Sequence, residues 1–99
     1  MTFELIIKPE AEKDIQKSAK YYFEQNQELS AEFIKNLDDV LALVLKNPKL
    51  FQKRYFDIRI VFTKKFPYGI YFTLEEDTIF IHAVLHNKQN PKTALKRTK

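Results

Sequence analysis

The side chains able to do chemistry in this 99-residue chain gather in its second half. Arg59, His86 and Lys88 stand out, with Arg54, Lys64 and Lys65 close to them in sequence and Arg97 near the end. Arginine and lysine hold phosphates, and histidine titrates near neutral pH, so this set fits contact with a nucleic acid or another polyanion. His82 and His86 fall on the same side of an extended segment but about 13 Å apart at strand rise, too far to share a metal ion. There is no cysteine, so thiolate metal sites and disulfides are excluded. No serine triad, phosphate-cradling glycine loop or suitably spaced carboxylate pair is visible, and Glu75, Glu76 and Asp77 read as a solvated hairpin tip. The residues imply neither cofactor nor metal.

Charge divides along the chain in the same sense. Residues 1–45 carry five basic and nine acidic side chains, a balance of −4, and residues 46–99 carry twelve basic and four acidic, a balance of +8. The expected partner of the second half is therefore a polyanion or an acidic protein. The "MTFELIIKPEAEKD" start has Glu4 inside its apolar run and lacks the hydrophobic stretch of a signal peptide. No segment approaches the apolar length of a membrane span, so the expected location is the cytoplasm, without membrane attachment.

Positioning these groups falls to a small set of elements. "FELII" (3–7) reads as a short strand that Pro9 ends. Pro9 suits the first turn of a helix, and Glu10, Glu12 and Asp14 favour its positive N-terminus. Ala11, Ile15, Ala19, Tyr22 and Phe23 repeat at helical spacing, predicting a helix from Pro9 to about Asn26. Ser30 is the expected N-cap of a second helix, with Leu29 stapled to Ile34. Its stripe is Phe33, Leu37, Val40, Leu41 and Val44, and it ends near Lys46. The short connection predicts an antiparallel helical hairpin.

After "NPKLFQKRYFD" the apolar period changes from helical to alternating. "IRIVFT", "YGIYFTL" and "IFIHAVLH" predict antiparallel strands, the last two joined at "EEDT". The rows Ile58, Ile60, Phe62; Tyr68, Ile70, Phe72, Leu74; and Ile79, Ile81, Ala83, Leu85 are the expected seat of the helices. Arg59, Gly69, His82 and His86 then fall on an open face. "NKQNPKTALKRTK" follows as a short basic tail, expected to form one last helical turn after Pro91. Together these predict one α+β domain over residues 1–99: an N-terminal strand, then a helical hairpin packed on one face of a small curved antiparallel sheet.

The order of these elements, with "KPEAEKDIQKSAKYY", "AEFIKNLDDVLALVLKNP" and "IRIVFTKKFPYGIYFTLEEDTIFIHAVLHNKQNP" in it, resembles the RelE/ParE superfamily of type II toxin–antitoxin toxins. The resemblance covers nearly the whole chain and implies a cognate antitoxin, acidic and encoded beside the toxin, and a toxin–antitoxin hetero-oligomer. It implies one of two targets. RelE-like members cleave ribosome-bound mRNA, which would give Arg59 and Lys88 a phosphate-binding role and His86 an acid–base role. ParE-like members poison DNA gyrase, which would make Arg54, Arg59, Lys64, Lys65, His86, Lys88 and Arg97 contacts. In RelE-like nucleases the third strand opens with a Tyr-Arg pair, and here that place holds Tyr68-Gly69. The missing arginine favours the ParE-like branch, with a RelE-like nuclease or an orphan, non-toxic binding domain as the alternatives.

Overall fold

The computed structural model describes residues 2–98; Lys99 of the basic tail lies outside them. In chain order the elements are β1 (Glu4–Ile7), α1 (Pro9–Gln25), α2 (Gln27–Lys46), a short 3-10 turn (Pro48–Leu50), β2 (Lys53–Tyr55), β3 (Ile58–Phe62), β4 (Tyr68–Glu75), β5 (Thr78–His86) and α3 (Lys92–Arg97). Among the described residues no helix is long and apolar enough to cross a membrane.

Pro9 opens α1, where its missing N–H costs nothing, and Glu10 and Glu12 occupy the first turn. A single residue, Asn26, then joins the helices. Its backbone N–H closes α1 on the Tyr22 carbonyl, and its side chain accepts the Glu28 N–H at 2.8 Å as the N-cap of α2. The cap is thus Asn26 and not Ser30, because an amide oxygen at the end of one helix can begin the next. Ser30 lies inside α2, and its hydroxyl donates to the Ala19 carbonyl at 2.8 Å, tying the hairpin together.

The five strands lie in the order β1-β5-β4-β3-β2. β2 through β5 pair antiparallel, but β1 joins β5 in parallel, so the sheet is mixed. β1 reaches that place because the chain runs through both helices and three strands before β5 returns beside it. The helices cover one face, meeting Ile70, Phe72, Ile79, Ile81 and Val84. Tyr22 and Phe33 from the helices meet Phe66 and Tyr68 there, with ring centroids 5.0–6.3 Å apart.

Two of the expected rows lie elsewhere. Ile58 and Ile60 face away from the helices, in a second core with Tyr71, Ala83, Leu85 and Ala94 of α3. Tyr68 must enter the aromatic cluster, and its register pairs Val61 with Ile70 and Ile60 with Tyr71. That turns Ile60 to the second face and Arg59 to the helix-covered one. On β5 a bulge at His82 shifts the alternation: Phe72 pairs with Ile81 and Tyr71 with Ala83, leaving His82 unpaired. Ile79 and Ile81 therefore face the helices, while Ala83 and Leu85 face α3.

Gly69 belongs to this second face, and its φ is not positive. A Cβ there would stand 3.3 Å from Phe62 Cε1 and 3.4 Å from Tyr71 Cε1. The glycine leaves room for the Phe62 ring to lie across the strand, which is the close approach a glycine permits.

His82 is 7% exposed and its Nε2 lies 2.8 Å from the Thr73 hydroxyl. Burial first, and Lys8 second, lower its proton affinity, with Glu75 and Glu10 opposing. The unfolded chain therefore binds a proton that the folded chain resists. Stability contributed by neutral His82 is present above the ordinary histidine range and is lost as pH falls through about 6.5. Unfolding free energy measured from pH 8 to 5 should fall on acidification with a slope of at most about 1.4 kcal/mol per pH unit from this group. His82→Gln should flatten that part of the curve; an unchanged curve would remove His82 as the cause.

Candidate functional site

The two ends of the sheet differ in charge. At one end the β3–β4 loop carries Lys64 and Lys65, and the turn after β5 carries Lys88. The Asn87 N–H donates to the Pro67 carbonyl at 2.8 Å, so these two connections lie side by side. Thr63 fixes the β3–β4 loop from within, its hydroxyl donating to the Phe66 carbonyl and its N–H to the Tyr68 carbonyl. Arg54, on the edge strand β2, reaches toward the same end, its guanidinium 5.8 Å from the Phe62 ring centroid. Lys65 pairs with Glu32 of α2, whereas Lys64 and Lys88 are exposed and form no ion pair among the described residues. The opposite end presents Asp57 in one hairpin turn and Glu75, Glu76 and Asp77 around the other.

His86 sits at the basic end, where β5 leaves the sheet. Its Nδ1 accepts the Lys88 N–H at 3.1 Å, which in the neutral ring leaves the proton on Nε2. The ring meets Tyr68 edge-on at 5.3 Å between centroids. This places His86 on the helix-covered side and not on the open face, because the bulge at His82 reverses the alternation. A groove of about 610 Å³ runs from His86 along α1, passing Tyr68, Tyr22, Tyr21 and Lys17. Burial, then the neighbouring Tyr68 side chain, push the Tyr22 phenol up to about 12, so it stays protonated at neutral pH. The groove thus offers hydrogen-bond donors (an imidazole N–H, phenols and an ammonium) suited to carbonyl, carboxylate or phosphate oxygens.

Two of the seven basic candidates are engaged inside the protein. Arg59 donates from Nη1 to the Phe51 carbonyl at 2.7 Å, and its Nε is buried without a partner among the described residues. This bond holds the segment after α2 against the sheet. Arg97, from α3, grips Asp14 of α1 through two bonds of 2.6 and 3.2 Å and reaches Glu10 at 3.5 Å. It also donates to the His82 carbonyl at 3.0 Å, while Asp14 accepts the Val84 N–H at 3.0 Å. β1 ends at Ile7, level with Ile81, so beyond it these two side chains take the place of a neighbouring strand. The hydrogen bond to Asp14 raises the already high proton affinity of Arg97.

The structure therefore brings together Lys64, Lys65, His86 and Lys88, with Arg54 at the rim, sets Arg97 with Asp14 in the wall of the His86 groove, and places Arg59 apart. Arg59 is level with Phe72 and His86 with Tyr68, which in a sheet separates their backbones by about 16 Å. Among the described residues no nucleophile and base meet at hydrogen-bond distance around His86. An arginine at position 69 would need the space that the Phe62 ring fills. Sequence reasoning missed Lys17 and Tyr21 as groove residues and took Tyr22, in the α1 stripe, as core. The signal available was the polar row Asp14, Lys17, Ser18, Tyr21 and Gln25 at helical spacing beside it.

A structure described as the chromosomal ParDE TA system from P. aeruginosa matches this fold with a TM-score of 0.77 over 86% of this chain and 96% of that one, at 11% identity. At that identity the likeness speaks for the fold. No curated protein matches the sequence. The family model of the ParE toxin of type II toxin–antitoxin system, parDE, matches residues 5–91. Across nearly all its strands and both long helices, the chain belongs to the ParE toxin family of type II toxin–antitoxin systems.

Proposed function

We propose that this protein inhibits bacterial growth by binding an essential cytoplasmic target, DNA gyrase, through its basic end. A cognate acidic antitoxin, encoded beside it, neutralises it in a toxin–antitoxin hetero-oligomer. The ParE family match supports the toxin reading. The observation that carries binding over cleavage is the separation of Arg59 from His86: Arg59 is held by the Phe51 carbonyl, about 16 Å of backbone away from the imidazole. Lys64, His86, Lys88 and Arg54 supply a cationic, hydrogen-bonding surface of the kind that recognises an acidic protein segment or a phosphate backbone.

The test is a supercoiling assay with purified protein and gyrase. Supercoiling should fall as protein is added and recover on addition of the neighbouring acidic protein. Unimpaired gyrase at saturating protein sinks the gyrase target, and new mRNA ends on expression would assign the RelE-like activity instead.

A charge-reversed pair separates surface contact from fold. Lys64→Glu with Lys88→Glu should abolish growth inhibition while leaving unfolding free energy within about 0.5 kcal/mol, as exposed substitutions do. Full toxicity in that variant would move the contact surface elsewhere.

A further inference from the structure

The end of the sheet remote from His86 carries an exposed aromatic side chain at a turn position that calls for positive φ, as Glu76 does in the neighbouring hairpin. Phe56 is the first residue of the two-residue turn between β2 and β3, with φ of 52°. Such a backbone suits glycine or asparagine and is an outlier for a bulky aromatic residue. Phe56 is also 90% exposed, the most exposed large apolar residue among those described. The ring thus gains little from burial in return for a strained backbone, a combination that occurs where a side chain is held out for contact.

Beside it opens a cavity of about 550 Å³, lined by Ile58, Leu74 and Leu95 with the hydroxyl residues Thr73 and Thr98. Asp57 and Glu75 stand at its rim. The volume and the apolar walls with few polar groups are those of a site for a small group. On a molecule of net charge +4 the local sign is reversed, since Glu76 and Asp77 adjoin the same end. Lys53 approaches Asp57 at 3.7 Å, but Asp57 remains 88% exposed and this ion pair is weak.

We propose that Phe56 and this cavity form a second docking site, for a protein segment that inserts an arginine or lysine side chain. The aliphatic stem lies against Ile58, Leu74 and Leu95, and the cation reaches Asp57, Glu75 and the face of Phe56. A nucleic acid does not fit here, because its phosphates would meet the carboxylates. The partner is therefore opposite in charge to the one that suits the basic end, and both ends can be occupied at once.

The test uses the ¹⁵N-labelled full chain and the capped peptide N-acetyl-Leu-Arg-Leu-amide, with the Glu-centred peptide and a short DNA duplex as comparisons. The arginine peptide should shift the amides of Phe56, Ile58, Thr73 and Leu95 saturably, and the other two should leave them in place. Glu75→Gln with Asp57→Asn should weaken the peptide at least fivefold. Phe56→Gly should weaken it similarly while raising the thermal midpoint, because the strain is removed. No shift with the arginine peptide, equal shifts with the glutamate peptide, or shifts of these amides with DNA would overturn the proposal. A lowered midpoint in Phe56→Gly would do the same, assigning the ring to the fold.

Discussion

Phe33→Ala will lower the unfolding free energy by about 3–5 kcal/mol, the usual cost of removing a fully buried aromatic ring. Phe33 is 1% exposed and is where the helical hairpin meets the sheet. Its ring lies 5.3 Å from Tyr22, 5.4 Å from Phe66 and 5.0 Å from Tyr68. Each such pair adds about 0.5–1.5 kcal/mol beyond area burial, and one substitution removes all three. A domain of this size has about 5–15 kcal/mol in total, so the variant should be partly unfolded at growth temperature. Phe33→Leu should cost less than Phe33→Ala because the void is smaller, but still about 1.5 kcal/mol or more, since the three ring pairs are lost as well. Phe23→Ala, at a residue 54% exposed on the same hairpin, should stay within about 0.5 kcal/mol. Urea unfolding of the three variants checks the order; a loss in Phe33→Ala no larger than in Phe23→Ala would dislodge the cluster as the seat of the helices. The loss of Tyr68 packing also reaches His86, whose ring rests on it, so the groove should loosen with the core.

The helices were legible because their apolar residues recur at one period and proline or asparagine marks the ends. Pro9 and Lys46 bound them as the sequence reading expects, whereas the N-cap was misplaced by four residues, since Asn26 serves both helices at once. Strand alternation located β3, β4 and β5 but did not say which face meets which layer. That depended on α3, expected as a basic helical turn but not as core, whose Ala94 and Leu95 build a second core, and on one extra residue at His82. A period of two tells faces apart only while it is unbroken.

The site was legible in residue type and less so in arrangement. Lys64, Lys65, His86 and Lys88 meet because the β3–β4 loop and the turn after β5 touch, which strand order implies once the hairpin is drawn. The engagement of Arg97 by Asp14, 83 residues away, has no local signal. Nor does the Phe51 carbonyl that takes Arg59, because a backbone acceptor carries no mark in the sequence.

That distant pair supplies the second large effect. Asp14→Ala should cost about 3 kcal/mol, near the lower end for breaking a buried pair because both side chains retain 16% exposure. The substitution leaves the Val84 N–H without its acceptor and takes from the Arg97 guanidinium its two shortest carboxylate contacts, leaving it the His82 carbonyl and the more distant Glu10. Arg97→Ala should cost less, since Asp14 keeps the Val84 N–H. The double variant should fall short of the sum by about 1–2 kcal/mol, the coupling expected of residues in contact. Arg97→Lys should recover only part, because one ammonium cannot replace a two-point grip that also serves the His82 carbonyl. The same series distinguishes a latch from a target contact. If Arg97 holds α3 against the edge of β5, growth inhibition across the variants should follow folded abundance, and trypsin should cut sooner at Lys92 and Lys96. If Arg97 touches the target, Arg97→Ala should lose inhibition while Asp14→Ala at equal abundance keeps it. The geometry favours the first outcome, since the guanidinium has two carboxylates and a carbonyl to satisfy it.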